Sequence, residues 1–169
     1  MWTSGLRALS PDDVVIELRV EHPDWAEIDL LRAAQAKSDA QVVAAIRSGQ
    51  SVMVETVLST DKFKAVVTEA IEAGFIFGFV FVTVSSADMN EARVRNRAAR
   101  GGHDVPPDRI RARRTRAHAA ASWFAARASI GLVIENSGLA PALLAEKVQD
   151  EEHWRVLERS RLEVLGLVL

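Results

Sequence analysis

The fold class this sequence predicts is α/β, with a mostly parallel sheet flanked by helices. Two observations lead there. The runs SVMVETV at 51–57, FIFGFVFVTV at 75–84 and IGLVIE at 130–135 are rich in β-branched and aromatic residues. They are apolar almost throughout rather than alternating, the pattern of strands covered on both faces. Between them lie stretches of helical patterning joined by short connections, which gives strand, helix, strand, helix, strand, the order of a parallel sheet. At 169 residues the chain is long enough to bury a sizeable core, and residues 1–169 read as one domain. It contains no cysteine, which excludes a disulfide framework and a thiolate metal site. The start, MWTSGLRALSPDD, has no basic segment leading into an apolar core, and the longest apolar run is ten residues, too short for a membrane-spanning helix. A cytoplasmic protein without a membrane partner is therefore expected.

Taken in order, LRAL near the start is a short strand candidate, followed by the polar Ser10, Pro11, Asp12 and Asp13. Residues 24–47 read as an amphipathic helix that begins after His22-Pro23, with Trp25, Ile28, Leu31, Val42, Val43 and Ile46 available to one side. Thr60 or Asp61 can cap a helix that Gly74 closes. Ser86 can cap another through Ala98, and Pro106-Pro107 opens a further one reaching about Ala128. The C-terminal EEHWRVLERSRLEVLGLVL reads as a helix followed by an apolar tail.

Ligands on such sheets collect at the carboxyl ends of strands, which shortens the list of candidate site residues. Glu55 interrupts an apolar run, with Thr56 beside it and Ser59, Thr60 and Lys62 just beyond. A carboxylate buried there needs a partner or a ligand; the plainer alternative is that Glu55 caps its own turn or pairs with Lys62. Between Arg93 and Arg116 the chain carries nine arginines and only two acids, although its net charge is −2. Arg93, Arg97 and Arg100 are spaced to share one helix face, and Arg109, Arg113 and Arg116 another. Two such faces repel each other unless an anion lies between them, and the planar guanidinium fork suits phosphate. A solvated helical hairpin is the plain alternative. Nucleic-acid binding is least favoured, because no aromatics interleave the arginines and the net charge is not basic. His22, His103, His118 and His153 lack the spacing of metal ligands, so no metal site is read from them. No Ser–His pair can be placed from the sequence.

The segments PDD…EHPDW, SGQSVMVETVLST, the ten-residue strand, RVRNRAARGGHDVP…IRARR and IENSG, in this order over about residues 9 to 150, resemble the zeta toxin-like family of P-loop small-molecule kinases. The resemblance implies a P-loop-kinase-like sheet with an arginine-rich helical lid over 93–116. It implies transfer of a phosphoryl group from ATP or GTP, with Mg²⁺, to the hydroxyl of a small molecule. In the toxin branch that acceptor is UDP-N-acetylglucosamine. Carried over by position, Asp12 matches the aspartate that takes the substrate hydroxyl proton. Glu55 matches the acid that holds the acceptor, with Thr56, Ser59 and Lys62 on the same substrate side. Arg97, Arg100 and Arg113 match the lid arginines, and Asn136 and His103 fall on the nucleotide side. Such roles suit phosphoryl transfer, which demands positioning and charge neutralisation more than covalent chemistry.

Two departures qualify the likeness. Arg114 stands where the family pattern usually has an aromatic residue, and the chain contains no G-x-x-x-x-G-K-[ST] phosphate loop. The first strand, loop and helix of the family are thus missing, and activity of this chain by itself is not expected. Two sheet strands then lose their common neighbour; they are expected to close up, or to be bridged by another chain such as an antitoxin-like protein or a second copy. The alternative to a kinase is a non-catalytic remnant that binds a nucleotide or a protein.

Overall fold

Parallel strands need a long crossover, and both parallel pairs in this protein have one built of two helices. The structure is a computed structural model that describes residues 6–100 and 105–169. It divides into two compact units, Met1–Thr56 and Val57–Leu169.

In the first unit, strand β1 (Arg7–Leu9) leads into helices α1 (Pro11–Glu21) and α2 (Glu27–Arg47) and then strand β2 (Val52–Val54). β1 and β2 pair in parallel, with Arg7 opposite Val52 and Leu9 opposite Val54. The residues read from the sequence as a polar turn begin α1. Ser10 Oγ accepts the Asp12 N–H at 3.2 Å, Pro11 occupies the first helical position, and Asp12 and Asp13 lie at the positive end of the helix dipole. Val14, Val15 and Leu18 pack on Leu30 and Ala34 of α2. The buried stripe of α2 is Leu30, Ala34, Ser38, Val42 and Ala45, so its phase differs from the expected one. Trp25 and Ile28 are exposed, and Trp25 stacks on His22 ahead of the helix at 3.9 Å. The small residues let α1 approach closely, and that contact, rather than the largest side chains, sets which face is buried.

The second unit contains α3 (Lys62–Glu72), β3 (Gly78–Thr83), α4 (Ala87–Ala98), α5 (Pro107–Ala125), β4 (Ile130–Glu135), β5 (Ala142–Lys147), β6 (Arg155–Val156) and α6 (Arg159–Val164). Gly74 ends α3 at φ +85°, its N–H bonded to the Ile71 carbonyl at 2.9 Å. Ser86 caps α4 through the Met89 N–H at 3.2 Å. The sheet runs β3-β4-β5-β6. β3 and β4 are parallel from Gly78 opposite Ile130 to Thr83 opposite Glu135, whereas β5 and β6 are antiparallel. The fold is therefore α/β, but the expected mostly parallel sheet is replaced by a two-stranded parallel sheet and a four-stranded mixed one. The reason is local: only residues 136–141 separate β4 from β5, too few for a crossover, so the chain must turn straight back.

α5 lies on one face of this sheet. Phe124 packs against Phe79 at 5.9 Å between ring centroids and against Phe77 at 6.3 Å, while Ala117, Ala120, Ala121 and Ala125 keep the helix close. The apolar run of β3 is covered on one face only. Phe79, Phe81 and Thr83 are buried, whereas Val80 and Val82 are 60% and 57% exposed. Among the described residues β2 is bonded to β1 alone and β3 to β4 alone. No helix among the described residues is long and apolar enough to cross a membrane.

Gly131 marks the tightest approach in the second unit. A Cβ there would lie 2.6 Å from the Phe79 carbonyl oxygen and would press on the Trp154 ring, whose Nε1–H donates to the Ala125 carbonyl at 3.1 Å. Gly131→Ala should destabilise the protein by about 1–3 kcal/mol through overpacking, read as a lower urea midpoint. An unchanged midpoint would show that β3, β4 and Trp154 can move apart without cost.

Candidate functional site

Because β3 and β4 run in parallel and in register, their carboxyl ends deliver Thr83 and Glu135 side by side. The next residues extend the pairing: the Asn136 N–H donates to the Thr83 carbonyl at 2.8 Å, and the Ser85 N–H to Ser137 Oγ at 2.7 Å. Ser137 Oγ in turn donates to Ser85 Oγ at 3.1 Å. Two arginines reach this edge from the helices. Arg93 of α4 donates through Nη2 to the Asn136 carbonyl, and Arg114 of α5 donates through Nη1 to Thr83 Oγ1 at 3.1 Å.

His118, one turn beyond Arg114, completes the network. Its Nδ1 lies 2.9 Å from the Leu165 carbonyl oxygen and its Nε2 2.9 Å from Thr83 Oγ1. A carbonyl can only accept, so Nδ1 carries a proton; with the ring neutral, Nε2 accepts from the Thr83 hydroxyl, which itself accepts from Arg114 and also lies 3.3 Å from the Val84 carbonyl oxygen. The energetics agree with a neutral ring. Burial first, and then the nearby Arg114 charge, push the His118 pKa below its ordinary 6.5, against the raising effect of the Leu165 hydrogen bond. Burial also lowers the Arg114 pKa.

Further along, Arg111 joins α5 to α4, with Nη2 2.6 Å from Asp88 Oδ1 and Nε 2.6 Å from Glu91 Oε1. Its pKa is raised, chiefly by the hydrogen bond it donates to Asp88 and the charge of Glu91. The Glu91 contact is off line for a hydrogen bond, so attraction of charge rather than a directed bond holds it. Arg116 Nε donates to the Ser59 carbonyl at 3.0 Å, beside the buried Leu58, which adopts a left-handed φ of +56°. The arginine-rich segment thus separates into two sets. Arg93, Arg111, Arg114 and Arg116 hold the architecture, while Arg95, Arg97, Arg100, Arg109 and Arg113 are exposed without a hydrogen bond or ion pair to another described residue.

The residues singled out from the sequence are distributed as follows. Asp12, Glu55 and Thr56 belong to the first unit, Ser59, Lys62, Arg97, Arg100, Arg113 and Asn136 to the second, and His103 lies outside the described residues. Glu55 is not the buried strand residue that was expected: β2 ends at Val54, and Glu55 is exposed just beyond it, so its carboxylate does not require a partner. Asp12 is exposed in the first turn of α1. Lys62 opens α3 with Nζ 4.6 Å from the centre of the Phe63 ring. Asn136 contributes through its backbone, both N–H and carbonyl being engaged at the strand ends. Among the described residues no three His, Cys, Asp or Glu side chains converge as metal ligands.

No known protein family, curated protein or solved structure matches this chain. The site must be judged on its own geometry.

That geometry includes residues the sequence reading passed over. Thr83, Ser85, Glu135, Ser137 and Arg161 gather at the strand ends, and a cavity of about 570 Å³ opens there, reaching Ser160, Val164 and Leu165 on the α6 side. One signal was available. Arg114 and His118 are four residues apart and share a helix face with the alanines at 121 and 125, away from the 109, 113, 116 face that drew attention.

The neutral His118 gives a pH test. The unfolded state takes up a proton near pH 6.5 and the folded state only at lower pH, so stability is complete above 6.5 and declines as pH falls below it. Thermal midpoints should drop from pH 7.5 to 5, and His118→Asn should flatten that part of the profile. Thr83→Val, which removes the partner of both Arg114 and His118, should cost about 1–3 kcal/mol. A pH profile identical in wild type and His118→Asn would rule out a neutral, buried ring.

Proposed function

We propose that the protein binds a phosphoanion, a nucleotide or a sugar nucleotide, as part of a small-molecule kinase of zeta toxin type. The observation that carries this is that Arg97, Arg100 and Arg113 belong, with Arg95 and Arg109, to the arginines of this segment that are exposed and make no hydrogen bond or ion pair to another described residue, whereas Arg93 and Arg114 bond to the strand ends, Arg111 joins α5 to α4, and Arg116 bonds to Ser59. Guanidinium groups held on an ordered scaffold bind phosphate oxygens with less loss of freedom than mobile ones. The donor set fits phosphate oxygens. It does not supply a Mg²⁺ site among the described residues, nor does the chain carry the lysine and hydroxyl of a G-x-x-x-x-G-K-[ST] loop. No transfer step is therefore derived through the metal. Asp12 and Glu55, both exposed, stay on the acceptor side of the proposal as the residues that would meet a substrate hydroxyl.

Calorimetric titration of the full chain with UDP-N-acetylglucosamine and with Mg-ATP tests the proposal. Binding of at least one is expected, weakening as salt rises. The triple substitution Arg97→Ala, Arg100→Ala, Arg113→Ala should weaken it tenfold or more. Loss of binding in Glu55→Ala alone would assign the acceptor half. Absence of binding to both ligands, or equal affinity in the triple variant, would overturn the proposal.

A second reading, a non-catalytic remnant that binds a protein, is favoured by one observation. β3 carries no charge or proline, is bonded on one side only among the described residues, and exposes Val80 and Val82. Natural edge strands are ordinarily blunted by such residues, so this one is suited to accept a strand from a second copy or an antitoxin-like protein. If so, the chain should elute above monomer mass in size-exclusion chromatography with light scattering, and Val80→Lys with Val82→Lys should return it to monomer.

A further inference from the structure

The cavity at the ends of β3 and β4 has a chemistry of its own. Glu135 is 8% exposed, and its carboxylate has one charged neighbour, Arg161 Nη1, 3.3 Å from Oε2. A buried carboxylate can accept about four hydrogen bonds, so a single contact at that distance leaves most of its capacity unused. Beside it, Ser137 Oγ is occupied as acceptor from the Ser85 N–H and as donor to Ser85 Oγ, which leaves the Ser85 hydroxyl proton to donate elsewhere. The cavity is also lined by the apolar Ala140, Ala142, Val164 and Leu165. The volume of about 570 Å³ lies within the range of small-molecule sites, roughly 300–1,000 Å³.

We infer that this cavity binds a small neutral polyol ring, with a vicinal diol donating to the Glu135 carboxylate. The choice among ligand classes follows from the pairing of functions. The Glu135–Arg161 pair is already neutral, so a charged ligand, whether amine or carboxylate, would leave one charge uncompensated beside the buried Glu135 carboxylate. A hydroxyl both donates and accepts, and the site presents an acceptor in Glu135 and donors in Ser85 and Arg161. Two adjacent hydroxyls match the two oxygens of one carboxylate. The carbon face of the ring then rests on Val164 and Leu165. This site uses none of Arg97, Arg100 and Arg113, so it stands independently of the phosphoanion proposal.

Saturation-transfer NMR on the full chain tests the inference with methyl β-D-ribofuranoside, whose ring carries one vicinal diol, and its 2-deoxy analogue, which has none. The ribofuranoside should give a clear transfer signal and the deoxy compound one several-fold weaker. Glu135→Gln should reduce the ribofuranoside signal about tenfold. Ala140→Trp, a change at the exposed rim that fills the cavity without touching the core, should abolish it while circular dichroism stays native. Equal signals from the two compounds, binding that persists in Ala140→Trp or Glu135→Gln, or no signal from the ribofuranoside would each overturn the inference.

Discussion

Parallel pairing of β3 with β4 over six residues, Gly78–Thr83 against Ile130–Glu135, is the interaction from which the second unit is organised. It places two strand ends level, so that the chain leaves both strands at the same height and the following residues, Ser85 and Asn136–Ser137, bond to the neighbouring strand rather than only to themselves. It also forces the crossover, α4 and α5, to carry their arginines back over the sheet. Gly131 lets the Trp154 ring and the Phe79 backbone approach at one position, and the Phe79–Phe124 contact and the Trp154–Ala125 hydrogen bond seat α5 against these strands. With the register set, the polar groups at the strand ends have little freedom about where they stand.

The arginine-rich segment shows how the same side chain serves two purposes according to its helix face. On α5, Arg114 and His118 lie toward the sheet and are partly dehydrated, which is why both titrate below their ordinary values. Arg111, turned toward α4, is instead raised by Asp88 and Glu91. The remaining guanidinium groups project into water, where repulsion among them is screened over about 8–10 Å at ordinary salt. A cluster of like charges is thus tolerated by the fold without neutralisation and gains only when an anion arrives.

Residues with clear local rules were legible. Ser86 and Gly74 delimit helices because a side-chain hydroxyl and a left-handed glycine each solve a terminal hydrogen-bonding problem within a few residues. The strand 130–135 was legible because its apolar run is short and bounded. The α1 helix was not read, although Ser10, Pro11 and two aspartates form an N-terminal signature, because attention fell on them as site residues. Strands β5 and β6 escaped because ALLAEK and RV have no β-branched run and take their pairing from β4. Glu55 was expected to be buried from its apolar neighbours, yet β2 stops one residue before it.

The sequence by itself determined the class of the fold, the limits of the helices marked by Ser86 and Gly74, and the gathering of arginine within one segment. All of these depend on contacts a few residues long, or on composition. The tertiary structure alone decided which face of α2 and of β3 is buried, which arginines are spent on the scaffold, and that Thr83, His118, Glu135 and Arg161 meet at one edge. These contacts at the strand ends join residues 26 to 47 positions apart, Glu135 to Arg161 and His118 to Leu165 among them. The physical reason is that a side chain's environment is set by what packs against it, and no local periodicity carries that information.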